Sequence, residues 1–354
     1  MEWVISSDRY RQKAISHNLS EILEVNIGSQ PLRSKPQPER KPNSWYDYDL
    51  ATGNNMVEFK HTYAGNPYDR GEPLRRSEET IAELQAQDSS LFLPFHKLNV
   101  ATNTESLNWL GQAELTELDA AQTILLGIHD GIARFAVDVN DPPTELEFTD
   151  CRAIAASLAT EETGVVAQAR AQLDWHRRNP FCAQCGGSSR PERGGQVRRC
   201  TACERHIFPR TDPVAIMLIV DEPGGDHCLL GKSQGRMAQS NFYSALAGFL
   251  DQGESLEEAV RREVWEEAGI RVGEVNYHSS QPWPFPSQLM IGCHGIATTT
   301  DIHIDEIEMA DVRWFSRAEA KSAIEQNNPA LRVPGAMAIA HHLIRSWVDG
   351  EVEL

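Results

Sequence analysis

One stretch of 23 residues constrains the fold of this chain most. Residues 248–270 read GFLDQGESLEEAVRREVWEEAGI. Ser255 is a typical helix N-cap and Gly269 a typical helix stop. Apolar residues recur between them at helical spacing: Leu256, Ala259, Val260 and Val264. At about 100° per residue, three acids fall on the same side of this helix as the apolar residues: Glu263, Glu266 and Glu267.

Carboxylates on the inward side of a helix need a partner. Desolvating several like charges costs many kcal/mol, so buried acids are paired with cations or bind metal. Oxygen ligands at the end of a short helix suit Mg²⁺ or Mn²⁺. The alternative is a solvated, salt-bridged helix, as most acidic runs are. The inward position of the acids favours a metal-assisted enzyme.

The segment resembles the Nudix box, G-x5-E-x7-R-E-U-x-E-E-x-G-U, where U is aliphatic. All its fixed positions are met: Gly248, Glu254, Arg262, Glu263, Val264, Glu266, Glu267, Gly269 and Ile270. The resemblance implies hydrolysis of a nucleoside diphosphate linked to another group. It makes three glutamates the catalytic metal ligands: Glu263, Glu266 and Glu267. Gly248, Glu254 and Arg262 would be structural, with Arg262 holding Glu254 in an ion pair that braces the loop.

Four of the seven cysteines are spaced as C-x2-C-x14-C-x2-C: Cys182, Cys185, Cys200 and Cys203. Two such knuckles joined by a hairpin close a tetrahedral thiolate site around Zn²⁺. The alternatives are disulfides or a chance regularity; an odd cysteine count weakens the disulfide reading. Because protein would fill all four positions, we expect a structural zinc without a chemical role.

Composition bounds the partners and the location of the chain. The formal net charge is −18 over 354 residues, which argues against diffuse attraction to nucleic acid or anionic membranes. No run of 18 apolar residues is present, so no membrane span is expected. The first residues lack an apolar signal core, and we expect a cytoplasmic protein.

Apolar runs and turn signals divide the chain into three expected parts. These are an N-terminal α/β domain (1–165), a helix with the zinc ribbon (166–208), and a catalytic domain (209–350). Within the first, residues 31–43 are rich in proline and predict a loop. We expect strands at 91–94, 123–127, 214–220, 228–230, 244–250, 289–297 and 312–315, and a last helix over 334–348. Sheet between helices predicts an α/β/α sandwich with a mixed sheet. No internal repeat is visible.

A second motif begins ten residues after Ile270 and reads SQPWPFP, followed by Leu289-Met290. Three prolines alternating with two aromatic residues predict a stiff, extended strip that can wall a nucleobase. The alternative is a proline-rich loop that packs on its own domain. Together with the zinc ribbon, the strip makes residues 170–348 similar to the NADH pyrophosphatase branch of the Nudix hydrolases.

That resemblance implies an activity and an assembly. Members split NADH or NAD⁺ into nicotinamide mononucleotide and AMP, and bacterial members also remove the NAD cap from RNA. They are usually homodimers, and their N-terminal domain resembles a degenerate Nudix fold. The resemblance adds Glu308 and the carbonyl of Ala247 to the metal site. It also implies substrate contacts at Phe208, Phe249, Gln281, Pro282, Trp283, Pro284, Phe285, Pro286, Ser287, Gln288 and Ala340.

Two positions depart from the family pattern. Relatives often carry Tyr where this chain has Phe208, so a hydroxyl is lost there. Gln288 stands where some members have Ser, with Ser287 one residue earlier. Three points stay open: which glutamate is the base, how many catalytic metals bind, and how NADH, NAD⁺ and capped RNA rank as substrates.

Two other functions are consistent with the motifs. One is a Nudix hydrolase for another substrate, such as ADP-ribose or a diadenosine polyphosphate. The other is a zinc-ribbon regulator that senses a nucleotide without turnover. Sensors often lose acids of the box, whereas this chain keeps all of them.

Overall fold

The computed structural model describes residues 61–235 and 238–352. The proline-rich loop predicted at 31–43 lies outside the described residues. In this part of the chain, two mixed sheets and a small three-stranded sheet follow one another. None of the described helices is both long enough and apolar enough to cross a bilayer.

The N-terminal half is a sheet of six strands packed between helices. The sheet order is β3-β2-β1-β5-β4, with β6 paired to β2, and only β1 and β5 run parallel. Phe92 packs toward α1 and α2, whereas Leu93 and Phe95 pack toward α3 and α4. The elements are α1 (Glu78–Gln85), β1 (Leu91–His96), β2 (Asn99–Asn103), β3 (Ser106–Leu107), α2 (Gln112–Leu115), β4 (Ala120–His129), β5 (Ile132–Val139), β6 (Glu147–Thr149), α3 (Cys151–Ile154) and α4 (Thr160–Arg178).

Helix α4 joins this half to the ribbon. Its buried face, with Val166, Ala169 and Leu173, belongs to the N-terminal core. Residue 165 lies inside the helix, so α4 is shared between the first two expected parts. The ribbon strands are β7 (Ser189–Glu192), β8 (Val197–Cys200) and β9 (His206–Ile207).

The turn between β7 and β8 docks on the N-terminal sheet. Gly194 accepts a hydrogen bond from the backbone N–H of Leu125 at 2.9 Å. Gly195 has a φ of 83°, and a Cβ there would lie 1.9 Å from Ile124 Cγ2. Only glycine therefore permits this close approach.

The C-terminal half is an α/β/α sandwich, as expected. Its sheet order is β13-β14-β10-β11-β15, with β12 paired to β10, and only β10 and β14 run parallel. Alternate residues of β10 face opposite layers: Met217 packs toward α5 and Leu218 toward α6 and α7. The elements are β10 (Asp212–Val220), β11 (His227–Ser233), β12 (Leu246–Phe249), α5 (Leu256–Ala268), β13 (Val272–Trp283), β14 (Gln288–Ala297), β15 (Met309–Ser316), α6 (Arg317–Ile324) and α7 (Ile339–Val348).

The two large sheets share one topology. In each, the second strand of a hairpin (β4–β5 or β13–β14) pairs parallel with an earlier strand, β1 or β10. That earlier strand pairs antiparallel with the next one, β2 or β11, which pairs in turn with the strand that follows the hairpin, β6 or β15. The halves differ where α5 lies. At the corresponding place the N-terminal half has only α2, whose four residues QAEL carry one acid. The N-terminal half thus keeps the sheet of its counterpart without the acidic helix.

Two local expectations differ from the structure. The last helix begins at Ile339, not at residue 334, because the Gln281 side chain accepts a hydrogen bond from the Ile339 N–H at 2.8 Å and fixes the start there. The proline strip is only partly extended. Residues 280–283 end β13, and 284–287 form the turn into β14, where Trp283 pairs with Gln288.

Candidate active site

Helix α5 is fixed at both ends by its own sequence. The Ser255 hydroxyl accepts from the Glu258 N–H at 3.3 Å, and the Glu258 carboxylate accepts from the Ser255 N–H at 2.7 Å. Gly269 ends the helix with a φ of 68°, and its N–H donates to the Trp265 carbonyl. Four apolar side chains pack the helix on the sheet: Ala259, Val260, Val264 and Ala268.

Glu267 is the most buried acid of the site. It is only 8% exposed, and its Oε2 is shielded from solvent and accepts no hydrogen bond from the described residues. Burial, and then the negative charges of Glu263, Glu308 and Glu266, raise the pKa of Glu267 to about 8. A buried carboxylate oxygen without a donor, among other acids, fits a divalent cation.

Glu263 lies against the backbone of β12. A Cβ built on Gly248 would lie 1.8 Å from Glu263 Cδ, so no side chain fits at position 248 while the carboxylate is there. Burial raises the pKa of Glu263, and its ion pair with Arg262 opposes that shift. The absence of a side chain at Gly248 therefore leaves room for the Glu263 carboxylate against β12.

Arg262 braces the loop before α5. Its Nη2 lies 2.6 Å from Glu254 Oε1 and 2.8 Å from the Phe249 carbonyl oxygen. Its Nη1 contacts Glu263 Oε1 at 2.8 Å and Glu266 Oε2 at 2.9 Å. These carboxylates, Glu254 first, raise the pKa of Arg262. The Glu266 side chain is 54% exposed and turns toward Arg262, so it is less inward than its helical position suggested.

Glu308 reaches the same space from the loop before β15. Its charge raises the pKa values of both Glu263 and Glu267. The loop is held by Gln234, whose backbone N–H donates to the Glu308 carbonyl at 2.8 Å. Gln234 Nε2 donates to the Glu306 and Met309 carbonyls as well. Sequence reasoning missed Gln234, because nothing in its spacing links it to residues 70 positions later.

A cavity of about 430 Å³ opens beside Glu267 and is lined also by Ala247 and Lys232. Ala247, on β12, borders a second space as well. We call it the cleft: a cavity of about 360 Å³ lined mainly by apolar residues of β10, β12, β14 and α7. The cleft brings together these expected residues: Ala247, Gly248, Phe249, Gln281, Trp283, Gln288 and Ala340. Phe249 is 52% exposed at its edge.

Gln281 borders the cleft but has its polar groups engaged elsewhere. The residue is fully buried. Its Nε2 donates to the Thr62 and Met337 carbonyls at 3.0 and 2.8 Å, and its Oε1 accepts from the Ile339 N–H. Its amide ties the start of α7 and the residues around 62 to the hairpin, so it positions the cleft wall.

The rest of the proline strip lies away from the cleft. Two guanidinium groups contact the Phe285 ring, with Arg152 Cζ 4.0 Å and Arg170 Cζ 4.5 Å from its centroid. Arg170 also donates to the Pro284 carbonyl. Three strip residues line a larger neighbouring cavity: Pro282, Pro284 and Ser287. Pro286 is in the turn. Phe208 is 64% exposed on the ribbon side, outside the residues that line the cleft.

The four ribbon cysteines meet at one point. Their sulfur atoms all lie within 4.8 Å of one another, a degree of clustering that no other set of three or more metal-ligand side chains reaches among residues 61–235 and 238–352. Backbone N–H groups of Cys203 and Ala202 lower the pKa of Cys200 to about 6. A Cβ on Gly187 would lie 3.3 Å from the Cys200 sulfur. This cluster of thiols suits a closed zinc site.

Two family models match this chain. The NUDIX domain model matches residues 210–333, and the model of an NADH pyrophosphatase-like rudimentary NUDIX domain matches residues 76–175. The first range holds α5 and the cleft; the second holds the sheet that lacks an acidic helix. Fold and site together define a Nudix domain preceded by a rudimentary copy.

Three relatives are each similar to more than half of this chain. The human "NAD-capped RNA hydrolase NUDT12" is 36% identical, covering 76% of this chain and 59% of its own length. "Nudix hydrolase 19, chloroplastic" of Arabidopsis thaliana is 39% identical, covering 55% and 54%. The human "NAD(P)H pyrophosphatase NUDT13, mitochondrial" is 32% identical, covering 77% and 88%. The chain belongs to the Nudix family, in the branch with an NADH pyrophosphatase-like rudimentary domain.

This chain spans 59% and 54% of the lengths of NUDT12 and the Arabidopsis protein. Two of the three names give an organelle, so the cytoplasmic location stays a prediction.

Proposed function

We propose that this chain hydrolyses the diphosphate bond of NADH or NAD⁺ to give nicotinamide mononucleotide and AMP. It also removes the NAD cap from RNA. The observation that carries the proposal is the buried Oε2 of Glu267, which accepts no hydrogen bond from the described residues. Glu267 lines a cavity that shares Ala247 with the apolar cleft. The names of the relatives, NAD-capped RNA hydrolase and NAD(P)H pyrophosphatase, support the choice of substrate.

Three glutamates and one carbonyl would hold the catalytic Mg²⁺ or Mn²⁺: Glu263, Glu267, Glu308 and the Ala247 oxygen, with Glu266 at the rim. A cation bound there would neutralise the diphosphate and would stabilise the charge that develops on its oxygens in the transition state. The chain's residues orient the rest. The apolar cleft holds a base of the dinucleotide, and Phe249 stacks on that ring. A glutamate acts as the general base and takes the proton of the attacking water. The ribbon cysteines would hold a structural Zn²⁺.

We propose three parts along the chain: the N-terminal domain (1–165), the helix and ribbon (166–208), and the catalytic domain (209–350). We also propose a homodimer. Large aromatic rings are exposed at two places. Phe181 and Phe208, on either side of the ribbon cysteines, are each 64% exposed, and Phe249 at the edge of the cleft is 52% exposed. Such rings are frequent at interfaces. Light scattering on the protein as it elutes from a size-exclusion column measures the molar mass, and hence the number of chains, directly.

The test of the function is product analysis. The chain is incubated with NADH and Mg²⁺ or Mn²⁺, and the products are separated by chromatography. We expect nicotinamide mononucleotide in its reduced form together with AMP. Preferred turnover of ADP-ribose to AMP and ribose 5-phosphate would replace this substrate assignment, and binding without turnover would indicate a sensor.

Variants assign the activity to the site. Glu267→Gln should fold and keep zinc but lose about 10²-fold or more in rate, since one ligand carboxylate is removed. Glu257→Gln is the matched control, because Glu257 is exposed on the same helix and borders neither cavity. Near wild-type turnover by Glu267→Gln would contradict the site.

A further inference from the structure

A second, larger cavity adjoins the cleft. We call it the groove: a space of about 570 Å³ between α4, residues 63–70 and the β13–β14 hairpin. Trp283 and Gln288 line both the groove and the cleft, so the two spaces share a wall at the turn of the hairpin. The other long wall, from α4, belongs to the rudimentary Nudix domain.

The lining of the groove suits a polyanion. None of the residues that line it is Asp or Glu, although the chain has 51 of them, and two are exposed arginines, Arg70 and Arg210. Arg210 is 81% exposed and pairs with Asp212, an exposed contact that a phosphate can replace at little cost. The lining of the groove thus holds two arginines and no acid, whereas the chain as a whole has a net charge of −18.

Neutral polar groups and aromatic rings complete the groove. Gln168 and Gln172 line it from α4, and Ser280 and Ser287 line it from the hairpin. Trp283 adds an aromatic ring at the shared wall. Amide and hydroxyl groups, a ring and arginines are the groups that proteins use to bind single-stranded RNA.

We propose that the groove binds the single-stranded RNA segment joined to the dinucleotide of an NAD-capped transcript. This inference rests on the proposed function, in which the cleft and the glutamates hold the cap. Free NADH ends within the cleft, whereas a capped strand continues past Trp283 and Gln288. The rudimentary domain then has a role, because its α4 forms a wall of the groove. The groove is occupied by capped RNA but not by the free dinucleotide, and so distinguishes the two substrates.

The test compares two substrates on two groove variants of the full chain. Arg210→Gln removes a positive charge, and Gln172→Glu adds a negative charge with little change in shape. Arg345→Gln is the matched control, since Arg345 is an exposed arginine paired with Asp349 and lies outside the groove and the cleft. Steady-state rates are measured with NADH and with a short 5′-NAD-capped oligoribonucleotide, after zinc content and melting temperature have been matched.

We expect the groove variants to change KM for the capped oligonucleotide alone. One exposed phosphate contact corresponds to a rise of up to about fivefold in KM. Its removal should also lower the slope of log KM against log salt by about 0.7. Values of kcat for the capped oligonucleotide and both constants for NADH should stay near wild type.

Two results would overturn the inference. An equal rise in KM for NADH means that the groove holds half of the dinucleotide itself, and an unchanged KM for capped RNA means that the strand runs elsewhere. Fluorescence anisotropy with the labelled capped oligonucleotide gives an answer that does not need turnover. If the wild type does not hydrolyse NADH, the proposed function is wrong. Anisotropy then still shows whether the groove variants bind RNA less tightly than the wild type does.

Discussion

Replacement of Glu267 by Gln should stabilise the protein in the absence of divalent cations while it removes activity. Glu267 is 8% exposed, and its Oε2 accepts no hydrogen bond from the described residues. Burial and the neighbouring acids, Glu263 and then Glu308, raise its pKa to about 8. The charge that would bind a cation is therefore unfavourable when the cation is missing.

The sign and size of the effect follow from proton linkage. Below pH 4.5, the ordinary value, Glu267 is protonated in both the folded and the unfolded chain, and ionisation costs nothing. As the pH rises toward the folded pKa of about 8, the unfolded chain ionises first, so stability is progressively lost. At about 1.4 kcal/mol per pKa unit, the loss reaches about 3 kcal/mol at pH 7.

Chemical unfolding without Mg²⁺ or Mn²⁺ measures this loss. Wild type, Glu267→Gln and the control Glu257→Gln are compared from pH 5 to 8, with zinc content verified. We expect Glu267→Gln to be the most stable, by about 3 kcal/mol at pH 7 and about 4 kcal/mol at pH 8. The three proteins should differ by less than about 1 kcal/mol at pH 5. Added Mg²⁺ should stabilise wild type more than Glu267→Gln, because ligand binding to the folded state adds to its stability.

Parallel pH profiles for wild type and Glu267→Gln would refute the reasoning, since burial of this charge would then carry no cost. A lower stability of Glu267→Gln at pH 8 would refute it as well. It would mean that the carboxylate already has favourable partners in the folded chain.

Four further substitutions separate the roles of individual residues. Gly248→Ala should lower NADH turnover by about 10-fold or more at unchanged zinc content, because the new Cβ displaces Glu263; unchanged kcat would contradict this contact. Cys200→Ser should lose zinc by mass spectrometry and melt at lower temperature, and full zinc occupancy would argue against the ribbon site. Phe249→Leu should raise KM for NADH, because Phe249 lies at the edge of the cleft. Phe285→Leu should lower the free energy of unfolding by about 1–2 kcal/mol, because two cation–π contacts are lost. A raised KM for Phe285→Leu and a lower stability for Phe249→Leu would mean that the two roles are exchanged.

Local features of the site could be predicted from the sequence. The helix start at Ser255 and its end at Gly269 depend on capping groups within four residues, and the structure has both. The meeting of the four cysteine sulfur atoms also follows from short-range spacing across a hairpin. The strands of the catalytic sheet were recognisable because buried runs such as residues 214–220 are continuous.

Contacts between distant segments could not be predicted in this way. Gln281 lies in a motif that suggests base binding, yet its partners are the backbone groups of Thr62, Met337 and Ile339. Phe285 is held by arginines from α3 and α4, more than 100 positions earlier. Nor does a helical wheel show that Arg262, one turn before Glu266, draws its carboxylate outward.

The duplicated topology shows what each half of the chain supplies. Both halves keep the same mixed sheet, but the 13 residues of α5 have only the four residues of α2 as their counterpart. Among the described residues, α2 carries one acid, Glu114, where α5 carries Glu263, Glu266 and Glu267. Helix α4 of the N-terminal half nevertheless supplies Arg170, which fixes Phe285 and the hairpin whose Trp283 walls the cleft. The N-terminal half has no full-length counterpart of α5 among its described residues, but its helix α4 positions a wall of the cleft in the C-terminal half.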